Sequence, residues 1–463
     1  MEKSKNKKLH EKLFWKRNSA WDNSKDKKSA YDFAEKYKSF LATSKTEREA
    51  TKTILAGLIT NGFKDILKIS KLKPGDKVYL NQKGKSVVAA IIGKENNKFN
   101  LVGSHIDSPR LDLKPNPLTE EDGIALLKTH YYGGIKKYQW TNVDLALYGV
   151  IYTKSGKKID LKIGEKDGEP RFIVSDLLPH LAKKQMEKQA TEVVQGEQLN
   201  VFLGNVPIEG NDVKDAVKLN VLNILNKDYG IIEEDFSFAE LTFVPAGKPT
   251  DIGFDMSMVA AYGQDDKSCS YANYAALLAV KNPKITAVAY FSDKEEIGSL
   301  GNTGAQSFIL LDFAEYLVEK LSLKVTANYM LRNSRAISAD VGAALDPNFS
   351  EVHEKRNAAH LGCGVVIEKY TGAGGKYNAN DTHAEYLNDI RKILQDNNIA
   401  WQTGELGKID LGGGGTIAMY LSRFGMDTVD AGPAILGMHA PRDVLSKIDL
   451  YQSFKLYKAF FES

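Results

Sequence analysis

The chain has 463 residues, 43% hydrophobic and 26% charged, which is the make-up of a folded protein of roughly two to four domains and excludes a disordered chain, a collagen-like repeat or a disulfide scaffold. Its formal charge of +3 is uneven: residues 1–30 carry nine Lys and one Arg against four acids, or +6, so the other 433 residues sum to about −3. With two cysteines, Cys269 and Cys363, no apolar run near ~18 residues and no apolar signal core at the start, a reducing, cytoplasmic setting without membrane contact is expected.

The 52 lysines far outnumber the ten arginines. Arginine makes the bidentate contacts of nucleic-acid readers, so no nucleic-acid partner is expected and the lysines read as a solvated surface.

In chain order, helical spacing predicts helices over 30–42 and 46–62, with Ser44 and Thr46 as caps. A hairpin is expected from 77–80 and 86–92 around 82–84. The apolar run 98–104 then leads into Gly103-Ser104-His105-Ile106-Asp107-Ser108-Pro109-Arg110. The texture changes over 115–249: Pro115, Pro117 and Gly133-Gly134 precede strand-like runs at 144–152 and 158–163, a helix carrying Leu177, Leu178 and Leu181, and a polar stretch. This reads as an insertion of about 130 residues with its own core, splitting a domain formed by 1–114 and 250–463. Past Pro249, strands at 285–291, 336–340, 400–403 and 427–431 alternate with helices at 307–321, 386–396, 416–424 and 444–461. That order predicts an α/β domain with a mostly parallel sheet flanked by helices.

Ligand sites in such sheets lie at the carboxyl ends of the strands, where the chain concentrates its chemistry. His105 and Asp107 follow one strand; Asp293, Glu295 and Glu296 follow another. Asp340 ends a third, His439 comes soon after 427–431, and Asp265-Asp266 precede a helix expected from about Ser270. Singly, each has an ordinary explanation: a hydrogen-bonded His, a helix cap, solvated glutamates. Together, two imidazoles and several carboxylates suit zinc or a related divalent ion, and the count suits a two-metal hydrolase. In an extended segment, residues two apart point the same way, so Asp107 can orient His105 from behind.

These residues carry a resemblance. Gly103–Asp112, Asp293-Lys294-Glu295-Glu296-Ile297-Gly298-Ser299, Ser338-Ala339-Asp340 and Gly437-Met438-His439-Ala440 resemble, in order, the motifs of the aspartyl aminopeptidase family of dinuclear zinc aminopeptidases, which includes yeast vacuolar aminopeptidase I. The resemblance spans about 30–460. It implies a zinc-exopeptidase-like α/β domain with an inserted, smaller, β-rich dimerisation domain at 115–249. It implies two divalent ions, zinc: His105 and Asp340 on one, Glu296 and His439 on the other, Asp265 bridging (Asp266 being the alternative), and Glu295 as general base. Asp107 and Asp266 would lie behind the ligands. His180, Lys369 and Tyr377 fall where relatives contact substrate. Homodimers assembling into a dodecamer and peptide substrates are implied as well.

The chain departs from the animal-type members, which have a second His where Ala343 stands here, so a preference for acidic first residues competes with a neutral one. A metal-dependent deacylase or carboxypeptidase of the same fold is the further alternative. A catalytically dead assembly protein is disfavoured because no ligand is missing. Gly412–Gly415 before Thr416 lack the Lys-Ser/Thr of a phosphate loop and are expected to pack backbone closely at the site's rim. His10, His130, His353, His360 and His383 read as structural, and both cysteines as buried.

Overall fold

The computed structural model describes residues 2–210 and 213–463. A nine-stranded sheet forms the framework, in the spatial order Lys64–Asp65, Lys77–Gln82, Ser86–Ile91, Ile285–Ser292, Glu95–His105, Arg335–Ser338, Asp427–Gly432, Val365–Glu368 and Trp401–Thr403. Five of its neighbouring pairs are parallel and three antiparallel. The four central strands, Ile285–Ser292 to Asp427–Gly432, run parallel.

Burial on both faces explains their sequence. Side chains alternate across a strand, so Val87, Ala89, Ala287, Ala289 and Phe291 enter one core while Val88, Ala90, Val288 and Tyr290 enter the other. The first core is covered by helices Ser24–Thr43, Glu47–Thr60, Gln264–Ala279, Ala384–Asp396 and Lys447–Glu462, the second by Ile309–Lys320, Ala327–Arg332 and Ala418–Ser422. A strand sealed on both faces has no polar alternation, hence the continuous apolar run.

A six-stranded antiparallel sheet holds the inserted segment, in the order Lys158–Ile163, Leu145–Tyr152, Glu240–Pro245, Arg110–Glu121, Ile124–Tyr132, Val201–Gly204. It begins at Arg110, five residues before the expected boundary at 115, and has its own core around Trp140, Tyr148, Leu199 and Phe243. A third sheet joins Thr250–Ile252, Met258–Ala261, Asp443–Ser446, Ala434–Leu436 and Gly342–Ala343.

Several expected elements differ. The helix carrying Leu177, Leu178 and Leu181 is a single 3-10 turn, Pro179–Leu181, followed by the four-residue helix Lys183–Met186; the three leucines are at least half exposed. The last helix begins at Lys447, because Asp443–Ser446 pairs as a strand with Met258–Ala261. The helix expected from Ser270 is assigned from Gln264, with non-helical backbone at Asp265 and Asp266. The helix at 416–424 shrinks to Ala418–Ser422. Helices Glu2–Leu13 and Ala216–Tyr229 were not anticipated. Cys269 is buried but Cys363 only half-buried. Among the described residues, no helix is long and apolar enough to cross a membrane.

Candidate metal centre and substrate cavity

His105 is the last residue of strand Glu95–His105, in register with Ser292 of the adjacent parallel strand. The chain leaving Ser292 turns sharply: Lys294 and Gly298, both at positive φ, bracket the 3-10 turn Glu295–Ile297. Asp340 follows strand Arg335–Ser338, Asp265 opens the helix Gln264–Ala279, and His439, at φ 65°, lies in the loop after Ala434–Leu436. Three of these segments emerge from the carboxyl ends of parallel strands, the expected edge.

The donor atoms converge. His105 Nε2 is 3.2 Å from Asp265 Oδ1 and 3.9 Å from both Glu295 Oε2 and Asp340 Oδ1. His439 Nε2 is 3.3 Å from Asp265 Oδ2 and 3.3 Å from Glu296 Oε2. Asp265 Oδ1, Asp266 Oδ1 and Glu296 Oε1 are buried without a hydrogen-bond partner. The short His105–Asp265 approach therefore lacks hydrogen-bond geometry. Two ligands of one tetrahedral zinc, bonded at ~2.0–2.1 Å, stand ~3.3 Å apart, which is the spacing found here. An orphaned buried oxygen at ligand–ligand separation from an imidazole, Asp265 Oδ1 beside His105, in a set of imidazoles and carboxylates, fits zinc. His105, Asp265 and Glu296 form one group able to hold an ion; His105, Asp266 and Asp340 form another.

Both imidazoles are aimed from behind. His105 Nδ1 is 3.2 Å from the Asp107 carbonyl and 3.3 Å from its Oδ1; His439 Nδ1 is 2.7 Å from the Gly134 carbonyl. A proton held on Nδ1 leaves the Nε2 lone pair facing the carboxylates. Asp107, fully buried, accepts from the Glu295 N–H at Oδ1 (3.1 Å) and from the Glu296 N–H (3.2 Å) and Tyr132 hydroxyl (2.8 Å) at Oδ2. The inserted segment thus supplies Tyr132 and Gly134, neither visible as a site residue in the sequence. The Gly133-Gly134 pair was its one signal: a Cβ on Gly133 would stand 3.4 Å from Glu296 Oε2.

The electrostatics call for positive charge. Burial, reinforced by Asp107 and Asp265, pushes Glu295 up to about 7. Burial likewise lifts Glu296 and Asp340 well above the usual carboxylate range. Burial also opposes ionisation of Asp265, but the two histidines outweigh it and lower its pKa. His439 is desolvated too, yet Asp265 and Glu296 raise it to about 10. A dication would satisfy this excess of carboxylates directly.

His105, Asp265, Glu295, Glu296, Asp340 and His439 line one cavity of about 570 Å³. Its far wall includes Glu368, Tyr370, Lys376, Glu405, Lys408 and Gly412–Gly415. Two of the four glycines pack as expected, since a Cβ on Gly412 or Gly413 would lie 2.3 or 2.4 Å from a backbone oxygen, whereas one on Gly414 would meet nothing within 4 Å and one on Gly415 nothing closer than 3.6 Å. Three expected substrate contacts do not line this cavity. His180 is exposed in the 3-10 turn of the inserted segment. Lys369, one residue past strand Val365–Glu368, is exposed, while its neighbours Glu368 and Tyr370 line the cavity. Tyr377 is 74% exposed at the end of a small turn. His10, His130, His353, His360 and His383 also lie outside the lining.

Comparison with known proteins finds similar chains over nearly the whole length. The sequence model of the family described as aminopeptidase I zinc metalloprotease (M18) matches residues 40–461. A probable M18 family aminopeptidase 1 of Clostridium acetobutylicum is 47% identical over 455 residues, covering 96% of this chain and 97% of that one. The crystal structure of an M18 family aminopeptidase from Thermotoga maritima superposes with a TM-score of 0.94 at 42% identity, covering 97% of this chain and all of that one. The S. cerevisiae mApe1 dodecamer shares the fold at 22% identity and a TM-score of 0.74, over 93% and 96% of the two chains.

Proposed function

The chain belongs to the M18 family of zinc aminopeptidases, and from that premise we propose that it removes N-terminal residues from peptides at a two-ion centre. The observation that carries the two-ion reading is the division of Asp265. One oxygen stands 3.2 Å from His105 Nε2 and the other 3.3 Å from His439 Nε2, as a carboxylate bridging two positions does. On this reading His105 and Asp340 would complete one position and Glu296 and His439 the other.

Zinc bound there supplies a Lewis acid for the scissile carbonyl and an acidified water. The protein supplies the rest. Glu295, 3.9 Å from His105 Nε2 and lifted to about 7, takes the proton of the attacking water and returns it to the leaving amine. Asp107 holds the main chain of Glu295 and Glu296 in one grip, so adjacent glutamates keep separate tasks. Lys369 and His180, expected to serve an acidic first residue, lie outside the cavity lining, and of the lysines within it Lys376 pairs with Asp381 and Lys408 is exposed, which supports the non-acidic reading.

The exposed Leu177, Leu178, Leu181 and Met186 of the inserted segment would be covered in a homo-oligomer, dodecameric as in the yeast protein. Such an enclosed assembly, placed in the cytoplasm, would admit peptides rather than folded proteins. The division into 1–114 with 250–463 and an inserted 115–249 is part of this reading.

Metal content and turnover of Glu295→Gln and Glu296→Gln, measured side by side, test the assignment. Glu295→Gln keeps both ions and loses at least ~10²-fold in turnover; Glu296→Gln loses metal first. The reverse pattern exchanges the two roles, and near-normal turnover of fully loaded Glu295→Gln ends the general-base assignment.

A further inference from the structure

The lining of the cavity includes two carboxylates, Glu368 and Glu405, that form no salt bridge among the described residues. Glu368 ends strand Val365–Glu368, opposite Asp430 in the antiparallel register. Its Oε1 occupies a slot left by two glycines: a Cβ on Gly342 would stand 3.1 Å from it, and one on Gly404 3.6 Å. Gly342 is two residues past Asp340, so the slot opens beside the metal-binding end. Glu405 lines the same wall and accepts a hydrogen bond from the Tyr370 hydroxyl.

Asp430 is buried behind Glu368, with one oxygen taken by Thr416 (2.6 Å) and Oδ2 without a partner. Burial, then Asp430, then Glu405 push the Glu368 carboxyl up to about 8. All three effects penalise its negative charge, and a cation arriving in the slot would reverse them. The two lysines of the lining do not fill this role. Lys376 pairs with Asp381 at 2.9 Å and lies over the Tyr370 ring at 3.9 Å, while Lys408 is exposed.

We propose that Glu368, supported by Glu405, is the specificity-determining residue for the substrate's first side chain, and that it selects a lysyl or arginyl side chain and rejects aspartyl and glutamyl ones. The inference rests on the aminopeptidase reading and deepens it. A lysyl or arginyl side chain carries its charge at the end of a flexible stem, and Glu368 lines the same cavity as His105, Asp340 and His439, so on this proposal the ammonium or guanidinium meets Glu368 while the scissile carbonyl stays at the metal-binding end. A carboxylate in the same slot would be desolvated among like charges. The test distinguishes a side-chain cation in this slot from the substrate's α-amino group.

The test compares kcat/KM for lysyl, arginyl, leucyl and glutamyl p-nitroanilides on the zinc-loaded full chain, on Glu368→Gln and on Glu368→Lys, with inhibition by free lysine and free glutamate as a binding readout. In the unmodified protein, lysyl and arginyl substrates exceed glutamyl by at least ~10-fold, the scale of one charge-assisted hydrogen bond. Glu368→Gln lowers the lysyl-to-leucyl ratio by a similar factor and weakens inhibition by lysine. Glu368→Lys inverts the order in favour of glutamyl; should that variant fold poorly, Glu405→Gln is expected to move the lysyl-to-leucyl ratio the same way by a smaller factor. Faster glutamyl than lysyl cleavage by the unmodified protein overturns the proposal. So does an equal loss on every substrate in Glu368→Gln, which would place Glu368 on the α-amino group. Chelator-sensitive leucyl hydrolysis by the unmodified protein preserves the aminopeptidase reading under either result.

Discussion

Tyr132→Phe removes one hydroxyl and leaves the ring in place, still under the Arg110 guanidinium 4.0 Å from its centroid. What is lost is the 2.8 Å hydrogen bond to Asp107 Oδ2, inside a fully buried carboxylate. A hydrogen bond to a charged acceptor contributes about 1.5–3 kcal/mol, or ~10–150-fold in an equilibrium constant. Asp107 Oδ2 keeps only the Glu296 N–H, at 3.2 Å, and the same carboxylate faces His105 Nδ1 at 3.3 Å. Loosening it therefore reaches ligands of both proposed ion positions. Partners behind metal ligands typically influence affinity ~10–100-fold, so the two routes to the magnitude agree. Zinc affinity, read by competition with a chromogenic chelator, should fall ~10–100-fold in Tyr132→Phe. Thermal melts of the metal-stripped forms show how much of the change belongs to folding alone. If the stripped variant melts earlier while zinc affinity stays within about threefold of the unmodified protein, Tyr132 holds the fold and not the metal site, and the reasoning fails.

Three further outcomes are expected. Glu368 has a folded pKa of about 8, above its ordinary 4.5; an acid with a raised pKa binds its proton more tightly when folded, so its stabilising contribution is present below ~4.5 and lost as pH rises through ~8. The melting temperature of Glu368→Gln relative to the unmodified protein should therefore be higher at pH 8 than at pH 5, and a constant difference would refute the shift. Phe291→Ala, at a fully buried position on the central strand, should cost about 3–5 kcal/mol by denaturant titration; a loss under ~1 kcal/mol would contradict the packing described. Leu181→Asp, on the most exposed of the three leucines, should lower the mass measured by light scattering; unchanged mass would move the assembly interface elsewhere.

Local pattern was enough for the framework and for most of the site. The continuous apolar run Ile285–Phe291 reports burial on both faces, and helix–strand alternation reports parallel strands, because both follow from how each element meets its immediate surroundings. Strand ends then place His105, Glu295, Glu296 and Asp340 on one edge, since the carboxyl ends of parallel strands share that edge wherever the chain goes next. Other features depend on partners distant in the chain. The expected helix at 444–461 yields its first turn to a strand because Asp443–Ser446 finds Met258–Ala261, and apolar periodicity does not record hydrogen-bond partners. His439 is aimed by a carbonyl, that of Gly134, 305 residues away, and a main-chain oxygen has no residue type to read. Of two neighbouring residues it is Glu368, not the expected Lys369, that lines the cavity, because the phase of strand Val365–Glu368 is set by what it pairs with, here Asp427–Gly432. The leucines at 177–181 resembled a core helix in composition alone; only the tertiary structure shows that they stay at least half exposed among the described residues.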